Sequence, residues 1–185
     1  MQQNKFHNQT ACVFRNFYSF AVKYLKKFRF LEINLKNTDK IICATLQLNA
    51  RTPLTSLAEK TGLSVASVSE HVKKLEEQHI IQGYYTKLDH KALGFDITAF
   101  VFVAVESSTY YEGFIAQCRM IPEIMECHAI TGNGSHILKI RTINTSELER
   151  LLAMVQRIEG VKNTTTNIVL SSHIESMALH LTTHQ

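Results

Sequence analysis

At 185 residues the chain has room for one large domain or two small ones, on the usual allowance of about 100–200 residues each. An apolar share of 45% with 19% charged residues is that of a globular protein with a real core, which excludes a disordered or collagen-like chain. Cys12, Cys43, Cys118 and Cys127 form no CxxC pair and no regular spacing. They read as reduced thiols of a cytoplasmic protein and exclude a secreted disulfide framework.

Net charge is +4, unevenly spread. Residues 1–35 hold six Lys/Arg and one Glu, residues 36–91 eight basic and six acidic groups, and residues 92–185 six basic and nine acidic groups. A basic front and an acidic rear fit nucleic-acid binding at the first and a different task at the second.

Residues 1–35 interleave aromatic residues with lysine and arginine, and no apolar run approaches the ~20 residues of a membrane span. Arg15, Lys23 and the Lys26-Lys27 pair interrupt the apolar centre that a signal peptide needs. A membrane-surface helix, an extra DNA-contacting arm and a dispensable extension remain open. The last, partly helical, is the expectation, with no integral membrane association.

Asp39 to Asn49 predicts a first helix with Ile42, Cys43 and Leu46 inward. Thr52 is the expected cap of the next helix, with Pro53 at its first position. Leu57 and Ala58 form that helix's inner side, and Thr61-Gly62 ends it. Ser64 then caps a longer helix in which Val65, Val68, Val72 and Leu75 recur at spacings of three, four and three. Two helices joined by a short glycine-containing turn carry the signature of a DNA-reading helix-turn-helix; the alternative is an ordinary corner of a helical domain. Ile80 to Tyr85 suggests a wing strand, so residues 36–85 make a winged unit. Residues 86–94 read as a hinge.

From Phe95 the period changes to two. Ile97, Ala99, Val101, Val103 and Val105 alternate with Phe100, Phe102 and Ala104. Thr109 to Met120 predicts a helix with Phe114, Ile115 and Cys118 inward. Ile124 to Thr131 and His136 to Ile143 predict a hairpin around Gly132-Asn133-Gly134. Ser146 to Ile158 predicts a second helix, and Val161 to Leu170 a last strand. The order β-α-β-β-α-β over residues 95–172 is the ferredoxin-like split arrangement, so the fold class is α+β; residues 173–185 form a tail. Such a sheet has one face without helices, which predicts a homo-oligomer, a dimer or higher.

Three stretches, LAEKTGLSVASVSEHVKKLEEQHIIQGYYTKLDHKALG, IPEIMECHAITGNGSHILKI and IEGVKNTTTNIVL, closely resemble the Lrp/AsnC family of transcription regulators in register over about residues 36–172. The resemblance implies double-stranded DNA as partner, binding as dimers or larger assemblies, and amino-acid sensing near the loop after the second strand. The chain departs from the family pattern twice. Glu70 and His71 stand where a pair of arginines is common, and Gly132-Asn133-Gly134-Ser135 replaces Gly-Asp-x-Asp. The first alters the DNA text that is read, and the second removes carboxylates that could hold an ammonium group.

The candidate DNA contacts are Arg51, Ser64, Ala66, Ser67, Ser69, Glu70, His71, Lys73 and Lys74. Serines bond phosphate or base edges, lysines take phosphate or guanine acceptors, and glutamate accepts from cytosine N4. Glu70 and Lys74 could instead pair at i, i+4 on a solvated face. His71, a residue type that titrates near neutrality, predicts tighter DNA binding in mild acid. The candidate effector loop is Thr131, Gly132, Asn133, Gly134, Ser135 and His136, where glycines permit close approach of backbone to ligand; by the resemblance Thr164, Thr166 and Asn167 line the same pocket. A polar hairpin turn is the alternative. Neither a cofactor nor a catalytic group is expected. Cys127 and His128 point to opposite faces of a strand, and His180 with His184 lacks a third ligand, so no metal is expected. A constitutive architectural DNA binder and, with less support, an AsnC-like siroheme decarboxylase are the competing functions.

Overall fold

The computed structural model describes residues 35–181. Their contacts separate them into two compact units, residues 35–84 with 178–181, and Tyr85–Met177. The basic extension before Leu35, and His184, lie outside the described residues.

The first unit holds helices α1 (Asn37–Leu48), α2 (Leu54–Thr61) and α3 (Val65–Glu77). Their inner faces meet through Ile42, Cys43, Leu57, Ala58, Val68 and Leu75. Gly62, at φ 69°, ends α2 and sends its N–H to the Ala58 carbonyl, the left-handed stop its type permits. Three local expectations fail. The Thr52 hydroxyl donates to the Asn49 carbonyl (2.7 Å) instead of capping α2, so the helix starts after Pro53, whose carbonyl takes the Leu57 N–H. Val65 is 43% exposed, because it lies on the first turn of α3, and the buried stripe narrows to Val68 and Leu75 with Val72 half-buried. No strand forms over Ile80–Tyr85. The Ile80 and Ile81 amides both turn back to the Leu75 carbonyl, satisfying the end of α3 rather than a ladder, while their side chains pack on the core.

In the linker, the Asp89 carboxylate accepts from the Lys91 and Ala92 amides (3.0 and 3.2 Å). The Phe95 N–H reaches the His90 carbonyl at 2.8 Å. The expected hinge therefore contains a closed turn.

The second unit holds β1 (Ile97–Val105), a short 3-10 turn (Ser108–Tyr110), α4 (Tyr111–Arg119), β2 (Ile124–Ala129), β3 (His136–Thr142), α5 (Thr145–Gln156) and β4 (Val161–Ile168). The sheet order is β2-β3-β1-β4, antiparallel throughout, as the ferredoxin-like reading requires. Ala99, Val101, Val103 and Val105 of β1 and Leu138 and Ile140 of β3 enter a core closed by Phe114 and Cys118 of α4 and Leu148, Leu151 and Val155 of α5. Cys127 joins that side, paired with Leu138, while His128 pairs with Ile137 on the other. His180 lies outside any helix or strand, which removes the helical spacing that would have set it against His184. No helix among the described residues is long and apolar enough to cross a membrane.

Phe114 is fully buried at the centre of this core. Phe114→Ala is expected to lower unfolding free energy in urea by about 3–5 kcal/mol; a loss inside the range of ordinary surface substitutions, about 0.5 kcal/mol, would show that the helices do not close on the sheet as described.

Candidate functional site

Helix α3 is held by its inner stripe and presents its remaining surface outward. Ser64 caps it: its Oγ accepts from the Ser67 N–H (3.2 Å) and donates to Ser67 Oγ (3.0 Å). Both hydroxyls are thus engaged with each other at the helix start. Ala66, Ser69, Glu70, Lys73 and Lys74 are exposed, as is Arg51 before α2. The i, i+4 ion pair on this surface is Lys73–Glu77 (3.8 Å) rather than Glu70–Lys74. At 76% and 64% exposure it is a weak, solvent-screened contact.

His71 is not on that surface. Its Nδ1 lies 2.6 Å from Asp39 Oδ1 of α1, with the two side chains 27% and 17% exposed. The reason is helical geometry: His71 follows Val68 by three and precedes Leu75 by four, so it borders the buried stripe. That spacing was in the sequence, and Asp39 was the partner that sequence reasoning missed. His71 braces α1 against α3, and the expectation that its charge faces a DNA groove is corrected.

The β2–β3 connection divides in two. Thr131, Gly132 and Asn133 are exposed at its tip, whereas Ser135 and His136 turn inward. The Gly134 N–H closes on the Gly132 carbonyl (2.9 Å), and the Ser135 N–H reaches the Val103 carbonyl (2.9 Å). Gly134 sits at φ 117°, and a Cβ there would fall 2.8 Å from the Val103 oxygen. Only glycine fits this approach of the loop to β1. Ser135 Oγ accepts from the Val105 N–H (3.0 Å) and lies 3.2 Å from the Val103 carbonyl and 2.9 Å from His136 Nδ1.

One hydroxyl proton cannot serve both of those last two. If it goes to Val103, an Nδ1–H tautomer leaves the buried His136 Nε2 as an orphaned acceptor. If it goes to Nδ1, the ring carries its proton on Nε2, among Tyr111 (centroid 4.7 Å, edge-on) and Phe114 (4.9 Å). Nε2 has no hydrogen-bond partner among the described residues, and an N–H against aromatic rings is the less costly of the two. The second tautomer is therefore assigned. Burial lowers the His136 pKa, keeping the ring neutral.

The three candidates on β4 do not share a face. Thr164 stands opposite Val103, which on its other side faces His136, and its Oγ1 accepts from Gln156 of α5 (2.9 Å). Thr166 is opposite Val101 on the same, helix-covered side. Asn167 is opposite Phe100 on the open side and is exposed. The structure thus gathers His136, Val103 and Thr164 in one row and sets Asn167 apart.

Residues 35–82 match the winged helix-turn-helix DNA-binding family and residues 98–179 the Lrp/AsnC ligand binding domain. The HTH-type transcriptional regulator FL11 of Pyrococcus furiosus is 37% identical over 145 residues, spanning 78% of this chain and 95% of the relative. The chain belongs to the Lrp/AsnC family. Regulatory protein AsnC of Haemophilus influenzae is 31% identical, with 76% and 95% covered. Among solved structures, Escherichia coli AsnC superposes with a TM-score of 0.73 at 28% identity, covering 78% of this chain and 97% of that one. A transcriptional regulator of Neisseria meningitidis in complex with L-Met gives 0.75 at 26%, covering 80% and 97%. As an Lrp/AsnC protein the chain is an HTH-type transcriptional regulator, and the decarboxylase alternative is set aside.

Two outcomes check this geometry. Asp39→Asn and His71→Ala should each destabilise the protein, and the double variant should lose little more than either, giving a coupling of about 1–2 kcal/mol; additive losses would mean that the pair does not interact. Because His136 has a lowered folded pKa, the unfolded chain takes up that proton first. Its share of stability is complete above the ordinary histidine value of about 6.5 and is lost as pH falls through the folded value. Urea midpoints taken between about pH 7.5 and about pH 5.5 should fall less steeply in His136→Gln than in wild type, and parallel profiles would contradict the assignment.

Proposed function

We propose that α3 enters the major groove of duplex DNA and that Ala66, Ser69, Glu70, Lys73 and Lys74 meet bases and phosphates there, with Arg51 on a neighbouring phosphate. The observation that carries this is the exposed polar face of α3, backed by a closed core. A helix about 10–12 Å across with its side chains fits a groove about 12 Å wide. Lys73 and Lys74 take phosphate or guanine oxygen and N7, Glu70 accepts from cytosine N4, and Ala66 meets a thymine methyl. Ser64 and Ser67 hold the helix end and contact the backbone only by exchanging their mutual bond. With two lysines and no arginine on the face, one reader binds weakly, and a cytoplasmic homodimer or larger assembly supplies the second half-site. Phe100, Phe102 and Ile137, half-buried on the sheet face without helices, support self-association through that face.

The effector is a small molecule, with a free amino acid the leading class. Support comes from related regulators of Neisseria meningitidis and Mycobacterium tuberculosis, each solved with L-methionine, and from the exposed tip Thr131-Gly132-Asn133. There the Asn133 amide oxygen accepts from an ammonium group in place of the absent carboxylates.

In gel shifts on the protein's own promoter region, Lys73→Ala and Lys74→Ala should weaken binding, and loss of a phosphate contact should lower the salt slope by about 1; a wild type that prefers no sequence over random duplex would sink sequence-specific regulation. A thermal-shift panel of the common amino acids should raise stability with at least one of them, by about 2.7 kcal/mol at a hundredfold excess over its Kd. No response to any of them would favour a constitutive architectural binder.

A further inference from the structure

Two cysteines of the second unit are brought together by α4 and β2. Cys118 lies on the inner side of α4, 2% exposed in the core with Phe114. The Ile121 N–H bonds the Cys118 carbonyl and the Ile124 N–H the Ile121 carbonyl (3.2 and 3.1 Å), so a tight turn carries the chain from the end of α4 onto β2. There Cys127 stands opposite Leu138 and packs, half-buried, against the cluster that holds Cys118. The Cys118 thiol donates to the Cys127 sulfur. β2 is an edge strand, and its cysteine is on the helix-covered side, away from the face assigned to self-association.

Buried cysteine ordinarily packs as a small apolar group. That role accounts for Cys43 in the helical core, whose thiol is raised by burial and by Asp39. It does not account for the asymmetry of the pair. The Cys118 hydrogen bond, and after it the charges of His128 and Arg119, bring Cys127 down to about 7 against the opposite effect of burial. The same bond, with burial, raises Cys118. One sulfur is therefore half-buried and readily a thiolate, while the other is enclosed, protonated and in contact with it. Thiolate character and access are what make a cysteine oxidisable, and a neighbouring thiol is what resolves the product. A metal site needs more than two protein ligands, and no group of three or more His, Cys, Asp or Glu among the described residues is placed to hold one.

We propose that Cys127 and Cys118 form a dithiol that a peroxide oxidises to a disulfide between β2 and α4, with Cys127 attacking and Cys118 resolving. The Cys127 sulfur attacks one oxygen of hydrogen peroxide. An S–O bond forms, the O–O bond breaks, and the other oxygen leaves as hydroxide, which takes up a proton to become water. Cys127 is then a sulfenic acid, and the peroxide has accepted the electron pair. The Cys118 sulfur next attacks the Cys127 sulfur. The S–S bond forms, the S–O bond breaks, and the hydroxyl departs with the Cys118 proton as a second water. Closure brings the sulfurs from hydrogen-bond contact to about 2.05 Å. The bond fixes α4 to the strand that leads into the β2–β3 connection.

The test treats the reduced full chain with hydrogen peroxide, quenches by alkylation and maps the cysteines by peptide mass spectrometry. Expected is a species with Cys118 and Cys127 joined, about 2 Da lighter than the two reduced peptides and restored by dithiothreitol. It should form at least about tenfold faster than Cys43 is oxidised. Cys118→Ala should stop at a Cys127 sulfenic acid that dimedone captures, and Cys127→Ser should leave Cys118 a free thiol under the same treatment. The pH profile of Cys127 alkylation by iodoacetamide is a separate readout. Its midpoint should lie at about 7 in wild type and rise toward about 8.5 in Cys118→Ala. Oxidation of Cys127 no faster than that of Cys43, linkage of Cys127 to Cys12 or Cys43 instead, or an unmoved alkylation midpoint in Cys118→Ala would each overturn the assignment. The wild-type map needs no variant, so a variant that fails to fold leaves the test standing.

Discussion

The backbone of Val103 is where the sensor unit is fixed. β1 is one of the two inner strands, with β3 on one side and β4 on the other, and Val103 faces His136 on the first and Thr164 on the second. Its carbonyl oxygen also takes the Ser135 N–H at a point where Gly134 has no Cβ to stand in the way. The loop is therefore stitched to the middle of the sheet, not merely hung from the ends of β2 and β3. That stitch sets the register of β3. A slip by one residue would exchange Leu138 and Ile140 for Lys139 and Arg141 in the core, and burying two unpaired cations is far more costly than any turn strain. The same alternation that builds the core thus builds the charged row on the opposite face.

Much of this was legible because it is local. Period-two alternation located β1, and its pattern of buried positions follows the expected Ala99, Val101, Val103 and Val105. Ser64 and Gly62 marked the two ends of the turn between α2 and α3, since capping and positive φ are properties of single residues. What was not legible depends on partners far along the chain. Asp39 is 32 residues from His71, and Glu175 is 36 from Lys139; no local pattern announces either pair. The missing wing strand has the same origin. Ile80 and Ile81 have strand-forming side chains, but their amides are claimed by Leu75, and sequence cannot show that a donor is already in use.

The Asp39–His71 pair also changes what the reading helix is. A histidine where the family often has arginine looks from sequence like an altered groove contact. Tied to α1 at 2.6 Å, it is a brace between helices, and of the two departures Glu70 alone stays exposed on the outer face. Glu70 places an anion between Ser69 and the two lysines, which opposes phosphate binding at that point while offering an acceptor to a base edge. Electrostatic affinity for DNA follows the number of phosphates neutralised, and this face sets two exposed lysines beside one exposed glutamate.

Chain connectivity links the two units twice. The polypeptide leaves the helical unit at Tyr84 and returns to it at Ala178, so the sensor is an insertion between two segments of the reader. The first crossing is followed by the closed turn around Asp89, and the second is preceded by Glu175. The loop after β2 lies at neither crossing and is fastened to β1 instead. Lys139 and Arg141 both hold Glu175 shortly before the second crossing, and Lys87, soon after the first, donates to the Glu175 backbone carbonyl. Residues next to both crossings thus meet at Glu175, Lys139 at its carboxylate and Lys87 at its backbone carbonyl.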